Sequence, residues 1–555
     1  MRPAKLKAIA TLGVGLALLT GLWNGCRHSG STPATRDRLG ADTNVERGIR
    51  DRILYLGNGT DPHDLDPQTA TGIPESNILF ALDEGLVRLD PVTLQPLPGV
   101  AESWEISPDG IVYTFHLRPE EKWSNGDPLT AQDFVDSYKR ELSPGLGAQL
   151  SYFLWVLQNG EAYNKGALKD FSQVGVHALD AHTLQFKLHD PAPYLLSILY
   201  QRFYSPVQIS TVAKHGAADA PGNLWTRPEF FVGNGPYKLA EWKTNKEVVV
   251  RRNPLYWDAS HVWLNEIHFF PIDDIEVEEN AFRAGQLHVT SQVSQSKIDS
   301  YRKQHPELLH IDPYEGIYFY MLNTKRPPLD NVKVRRALAM AVDRESIVRY
   351  VTRGGQLPAH SFTPPDTGGY TARATIPTDP AAARKLLAEA GYPGGAGFPT
   401  IEILINTSDN HRIIAEAIQE MWRKTLGIDA RIVNQEWKVY LDSRATMNYQ
   451  VCRAGWISYL DPNAFLENFL TDGTNNQTGF ASPEYDRLIQ EEAPRAPNPA
   501  ARLEAFQKAE KILLDAAPII PVYDYTFPYL IRPCVRNWPR NRIGYHPYQG
   551  ITLQE

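Results

Sequence analysis

Cysteine is nearly missing from this chain. It has 3 Cys in 555 residues, which excludes a disulfide-dense scaffold. A strong charge of one sign is missing too, since 56 Lys+Arg stand against 64 Asp+Glu for a net charge of −8. That balance leaves no electrostatic footprint for nucleic acid. A mean hydropathy of −0.36 with 22% charged residues excludes a polytopic membrane protein. Catalytic signatures are also lacking: no G-x-S-x-G elbow, H-E-x-x-H, P-loop or dinucleotide fingerprint occurs. Gly233-Asn234-Gly235 has neither the third Gly nor the helix start that phosphate binding needs, and reads as a tight turn. His305 and His310 lack ligand spacing and are expected on a surface helix or loop. Pro62 and Pro67 break any EF-hand pattern around Asp61, Asp64 and Asp66. The acidic run Asp273, Asp274, Glu276, Glu278 and Glu279 reads as a solvated face. The expectation is a protein without catalytic residues, metal or cofactor.

What is present begins with length, which suits roughly three or four domains with ample cores. Arg2, Lys5 and Lys7 precede an apolar run from Ala8 to Trp23, with no acid before Asp37. A basic start followed by an apolar run of about 16 residues, short of the ~20 that span a bilayer, reads as an export signal. The run ends in Leu22-Trp23-Asn24-Gly25-Cys26, which resembles a bacterial lipoprotein signal, although Trp23 and Asn24 depart from its preferred residues. Cys26 is therefore the candidate lipid anchor; an ordinary cleaved signal or an uncleaved anchor is the alternative. Losing residues 1–25 would remove those three positive charges and take the net charge from −8 to −11. Residues 26–50 are polar and read as a flexible tether.

Within the body, residues 111–117 and 183–188 read as strands, the second with Leu184, Phe186 and Leu188 alternating with polar neighbours. Residues 248–250 and 317–322 are further strand candidates. Asp379-Pro380 opens a helix that Gly391 closes, and Val334, Ala337, Leu338, Ala341 and Val342 recur at helical spacing. Residues 400–406, 409–426 and 429–434 read as strand, helix and strand, a β-α-β unit. Cys452 and Cys534 read as buried free thiols, with pairing left open.

Eight ordered segments spanning roughly residues 52–530 resemble the extracytoplasmic solute-binding proteins (family 5) of peptide-importing ABC transporters. They are residues 72–77 (GIPESN), 99–104 (GVAESW), 113–134 with KWSNG and TAQDF inside, 233–239 with 252–257 (RNPLYW), 332–344, 406–409 (NTSD), 434–437 (NQEW) and 453–456 (RAGW). The resemblance implies a bilobal α/β, type II periplasmic-binding-protein-like fold with mixed sheets and an extra inserted domain. Lobe 1 would comprise 51–83, 208–316 and 525–555, the inserted domain 84–207 and lobe 2 residues 317–524. It further implies an oligopeptide held as an added strand between closing lobes and delivered to ABC permease subunits by a non-enzymatic, monomeric, exported protein.

By the same resemblance, Ile73, Tyr152, Gly455, Ile457 and Ser458 would meet the peptide main chain. Arg444 and Arg453 would face a carboxylate, and Trp437 and Trp456 would wall pockets. Plain core packing is the competing role for each Trp, and a structural ion pair for Arg453. The family places an Asp three residues after the Trp of Ala-Gly-Trp to pair with the ligand's α-amino group; here that residue is Tyr459, with Asp461 as the substitute. Thr71 stands where close relatives have Glu. These departures keep open a ligand that is a modified or cell-wall peptide, or another solute such as a nickel-type chelate. A peptidase is the remote alternative.

Overall fold

The computed structural model describes residues 42–555 except Asp472 and Thr474. The export signal, Cys26 and the tether up to residue 41 lie outside the described residues. The expected tether ran through residue 50, yet Asn44–Asp51 is a helix. A capping box starts it, Thr43 accepting from Glu46 N while Glu46 accepts from Thr43 N. Asn44 and Val45 then dock it on Gln286 and Gly285. Polar composition hid a helix whose support comes from 240 residues away in sequence.

Three sheets organise the body. The first is mixed and four-stranded, in the order Ile53–Gly57, Glu266–Phe270, Glu247–Arg252, Tyr237–Lys243. The second is antiparallel: Ala101–Ile106, Val112–Leu117, Thr183–Lys187, Val176–Asp180. Its alternation is as expected, with Tyr113, Phe115, Leu117, Leu184 and Phe186 buried. The third has six strands, in the order Leu357–Pro358, Ile519–Leu530, Leu309–Leu322, Val451–Ile457, Ile401–Asn406, Ala430–Gln435. Its parallel pair Ile401–Asn406 and Ala430–Gln435 is joined by the helix Asp409–Leu426, the β-α-β unit expected from sequence. Asp379 caps the helix Pro380–Glu389 by accepting from Ala381 N and Ala382 N.

The expected strand at 317–322 is the inner half of a 14-residue strand, Leu309–Leu322. Pro313 and Gly316 disguised its outer half. It pairs with Ile519–Leu530 through most of both lengths, and the register breaks between Pro313 and Ile317. The outer ends join the first sheet's surroundings, where Leu530 and Thr290 exchange backbone and side-chain bonds. The inner ends lie in the third sheet.

Several local readings change. Gly233-Asn234-Gly235 is an extended segment laid against residues 82–84; Asn234 Nδ2 donates to Glu84 O (2.9 Å) and its Oδ1 accepts from Glu84 N (3.0 Å). His310 sits on a strand beside Tyr529. Asp66 is buried against Arg140 (2.5 Å). In the acidic run, helical periodicity turns two residues inward: Glu278 accepts from Ser291, and Glu279 meets Tyr301 and Lys297. Cys452 is buried and Cys534 half-buried, both as free thiols. Among the described residues no helix is long and apolar enough to cross a membrane.

A Cβ on Gly235 would stand 2.5 Å from Leu82 C and 2.6 Å from Asp83 N, both backbone atoms. Gly235→Ala should therefore lower stability by about 1–3 kcal/mol through overpacking, as read by urea unfolding. An unchanged midpoint would show that residues 82–84 can move away at no cost.

Candidate functional site

A cleft of about 560 Å³ collects residues from distant parts of the chain. Ile73 and Asn77 come from the helix Ile73–Leu82, Tyr152 and Phe153 from the short turn Ser151–Val156, and residues 456–459 from the end of the strand Val451–Ile457. Tyr314 and Glu315 come from the register break, and Phe527, Trp538 and Tyr545 from the C-terminal segment. Of the residues expected at the site, Ile73, Tyr152, Trp456, Ile457 and Ser458 line this cleft. Ile73, Tyr152 and Ile457 leave about half their area or more exposed, at 60%, 48% and 53%. Exposed apolar side chains gathered in a concavity mark a binding surface.

The strand Val451–Ile457 supplies backbone as well as side chains. On one side it pairs along its whole length with Leu309–Leu322. On the other, its partner Ile401–Asn406 meets it only at Val451 and Cys452. From Arg453 onward that second edge has no strand partner among the described residues, although the Tyr440 hydroxyl donates to Arg453 O. Gly455 stands on this stretch, where an added Cβ would lie 2.5 Å from the Tyr525 hydroxyl. An open edge beside a cleft can accept an extended chain as one more strand.

Arg453 does not line the cleft. Its guanidinium lies over the Tyr318 ring (4.9 Å) and reaches Tyr525 OH (3.3 Å) and Asn406 Oδ1 (3.4 Å). Its Nε is buried with no hydrogen-bond partner. No carboxylate pairs with it among the described residues. Burial and Arg453 together push the neighbouring His411 down to about 4, so that ring is neutral near pH 7. Arg444, on the helix Trp437–Ala445, donates to Gln477 Oε1 (3.0 Å). Trp437 is 49% exposed and stacks on Tyr440, so its role is not core packing. Trp456 does both, donating to Ala464 O (2.8 Å) while forming a cleft wall.

Asp461 requires a correction. It is not available to a ligand ammonium, because both its carboxylate oxygens accept from Arg502 at 2.8 Å in a buried, forked pair. Pro462 turns the chain there, and Asp461 also accepts from Asn463 N (2.9 Å). Tyr459 fills the adjoining wall against Phe153 and Tyr194. Thr71 is exposed and lies outside the cleft lining.

Sequence reading missed the C-terminal wall. Tyr523, Tyr525, Phe527 and Tyr529 recur at every second position, a strand signal open to view. What sequence did not carry is the long pairing with Leu309–Leu322, which extends the strand far enough to bring Phe527 and Tyr529 to the cleft. Among the described residues no group of three or more His, Cys, Asp or Glu could hold a metal ion.

The model of bacterial extracellular solute-binding proteins, family 5, matches residues 95–477. The chain belongs to this family. It is 38% identical to the periplasmic oligopeptide-binding protein OppA of Salmonella typhimurium, over 91% of this chain and 92% of the relative. Among solved structures, the murein tripeptide binding protein MppA of Escherichia coli superposes with a TM-score of 0.76 at 34% identity, covering 91% of this chain and 98% of that one. OppA of Haemophilus influenzae, in complex with RPPGFSPFR, gives 0.73 at 34% identity, with 91% and 99% covered. The fold is the bilobal type II α/β fold of these binding proteins, with mixed sheets.

Two expected outcomes follow from the buried carboxylates. Asp461→Ala strands Arg502 in a buried site and should cost about 3 kcal/mol of stability by urea unfolding. It should weaken peptides with free and acetylated amino termini equally; a selective loss for free ones would restore Asp461 as a ligand group. Asp524, next to the register break, has a buried Oδ1 with no partner, and burial followed by the Glu315 charge pushes its carboxyl up to about 8. A raised acid stabilises while protonated, so this contribution is full below pH ~4 and is lost as pH rises through about 8. Asp524→Asn should therefore gain Tm over the wild type between pH 5 and pH 8. A Tm difference that stays flat across that range would refute the assignment.

Proposed function

We propose that this protein captures oligopeptides between two lobes outside the cytoplasmic membrane and hands them to an ABC import permease. The open edge of Val451–Ile457 beside the cleft carries the reading. Main-chain pairing along such an edge gives affinity without reading side chains, and hydrated pockets tolerate many sequences. Arg453, with neutral partners only, supplies a positive charge for a ligand carboxylate. The names of the relatives, oligopeptide-binding and periplasmic, support both the ligand class and an exported location. In this reading Cys26 is acylated and holds a monomer at the membrane, and no reaction is performed on the ligand.

The lobes are 51–83, 208–316 and 525–555 for the first, 317–524 for the second, and 84–207 for the inserted domain. Support comes from the sheets: strands of the first fall in 53–57 and 237–270, and those of the second in 101–187. The two long strands cross between lobes at the register break near 314–316 and 525. A crossing of only two strands suits hinge closure around a ligand.

Isothermal titration with tri- to pentapeptides should show saturable binding, with each peptide recovered intact by mass spectrometry. Arg453→Gln should weaken peptides with a free carboxylate at least tenfold and spare their amides. No binding of any peptide would refute the peptide reading. Recovery of cleaved products would turn it toward a peptidase.

A further inference from the structure

The charges around the cleft are lopsided. Among its described lining residues only Arg202 and Glu315 carry side chains that are ordinarily charged at neutral pH; the His546 ring, pushed down to about 4 by burial, is neutral. Glu315 is already engaged: Arg542 pairs with one carboxylate oxygen and the Thr367 hydroxyl donates to the other. Arg202 adds positive charge, held by its bond to Ala70 O (2.7 Å). The remaining walls are neutral, and 14 of the 36 lining residues are Phe, Tyr or Trp.

The acids nearest the aromatic wall do not reach in. Asp461 is locked on Arg502. Glu467 accepts from Asn463 Nδ2 (2.7 Å) and faces a separate cavity of about 340 Å³ that it shares with Tyr194 and Arg502. Burial and then the Asp461 charge push the Glu467 carboxyl up to about 7, which removes much of its negative charge near neutrality. Tyr459 stands between, 8% exposed, with Phe153 and Tyr194 packed on its ring. An ammonium enclosed by this wall would exchange water for phenol, hydroxyl and backbone oxygens alone. A buried charge without a countercharge is strongly disfavoured. A neutral amide in the same place loses far less hydration and can pair with the open strand edge.

We propose that this cleft selects ligands without a charged amino terminus, so that its peptide is blocked at that end, as an N-acylated peptide is. The proposal rests on the peptide reading and adds the charge state of the ligand's first residue. An apolar body with a free carboxylate then suits the site: aromatic walls, no available anion, Arg202 in the lining and Arg453 behind the strand edge.

The test is a matched pair, Ala-Phe-Ala and its N-acetyl form, titrated against the exported body of the protein at pH 7. The acetylated peptide should bind at least tenfold more tightly. Equal affinity, or tighter binding of the free peptide, overturns the proposal and leaves the peptide reading standing. Binding of neither peptide, nor of longer ones, overturns the peptide reading itself. Ser458→Asp adds an acid to the cleft without emptying the aromatic wall, and should shift the ratio at least tenfold toward the free peptide, less so in 1 M salt. Tyr459→Asp should shift it the same way if the variant folds. A Ser458→Asp protein that folds with an unchanged ratio also overturns the proposal.

Discussion

Pairing between the strands Leu309–Leu322 and Ile519–Leu530 is the constraint on which the rest depends. Each is long enough to serve the third sheet at one end and the surroundings of the first sheet at the other. Strict period-two alternation over such a length would keep one set of side chains on one face throughout. The register break places three residues of one strand, 314–316, against Tyr525 alone on the other. Along Ile519–Leu530, Tyr523 and Tyr525 join the packing of the third sheet, while Phe527 and Tyr529 line the cleft.

That break also concentrates buried charge. Glu315 and Asp524 lie close together with Arg542 as the nearby cation, and burial raises both carboxyls, Glu315 to about 7 and Asp524 to about 8. Buried ionic groups of this kind are weak contributors to stability and costly when unpaired. Their placement where two strands cross couples local electrostatics to the geometry of the cleft, since Ser458 N donates to Glu315 O (3.1 Å) and both residues line it. The aromatic wall around Tyr459 binds the second and third sheets into one apolar cluster, so the cleft's shape depends on packing far from its mouth.

Much of the fold was legible in the sequence because short-range periodicity reports it. Leu184 and Phe186 alternate inward as expected, Asp379 and Pro380 open a helix, and residues 400–434 form a β-α-β unit. Where reading failed, the deciding partner was remote. Asn44–Asp51 is polar and looks like a tether, yet Gly285 and Gln286 dock it. Gly233 and Gly235 look like a turn, yet a passing backbone requires their lack of a Cβ. Glu278 and Glu279 look solvated, yet the helix turns them onto Ser291, Tyr301 and Lys297.

The sequence by itself determined the family, several of the principal strands and helices, and five residues that line the cleft. Those follow from local patterns and from ordered segments of close residues, which need no knowledge of distant contacts. Tertiary structure alone decided which charges remain available. Sequence offers Asp461 as a partner for a ligand ammonium, and only the approach of Arg502, 41 positions away, removes it from that role. The physical reason is that an ion's availability depends on its counter-ion and its burial, and both are fixed by chain segments that meet only in the folded protein.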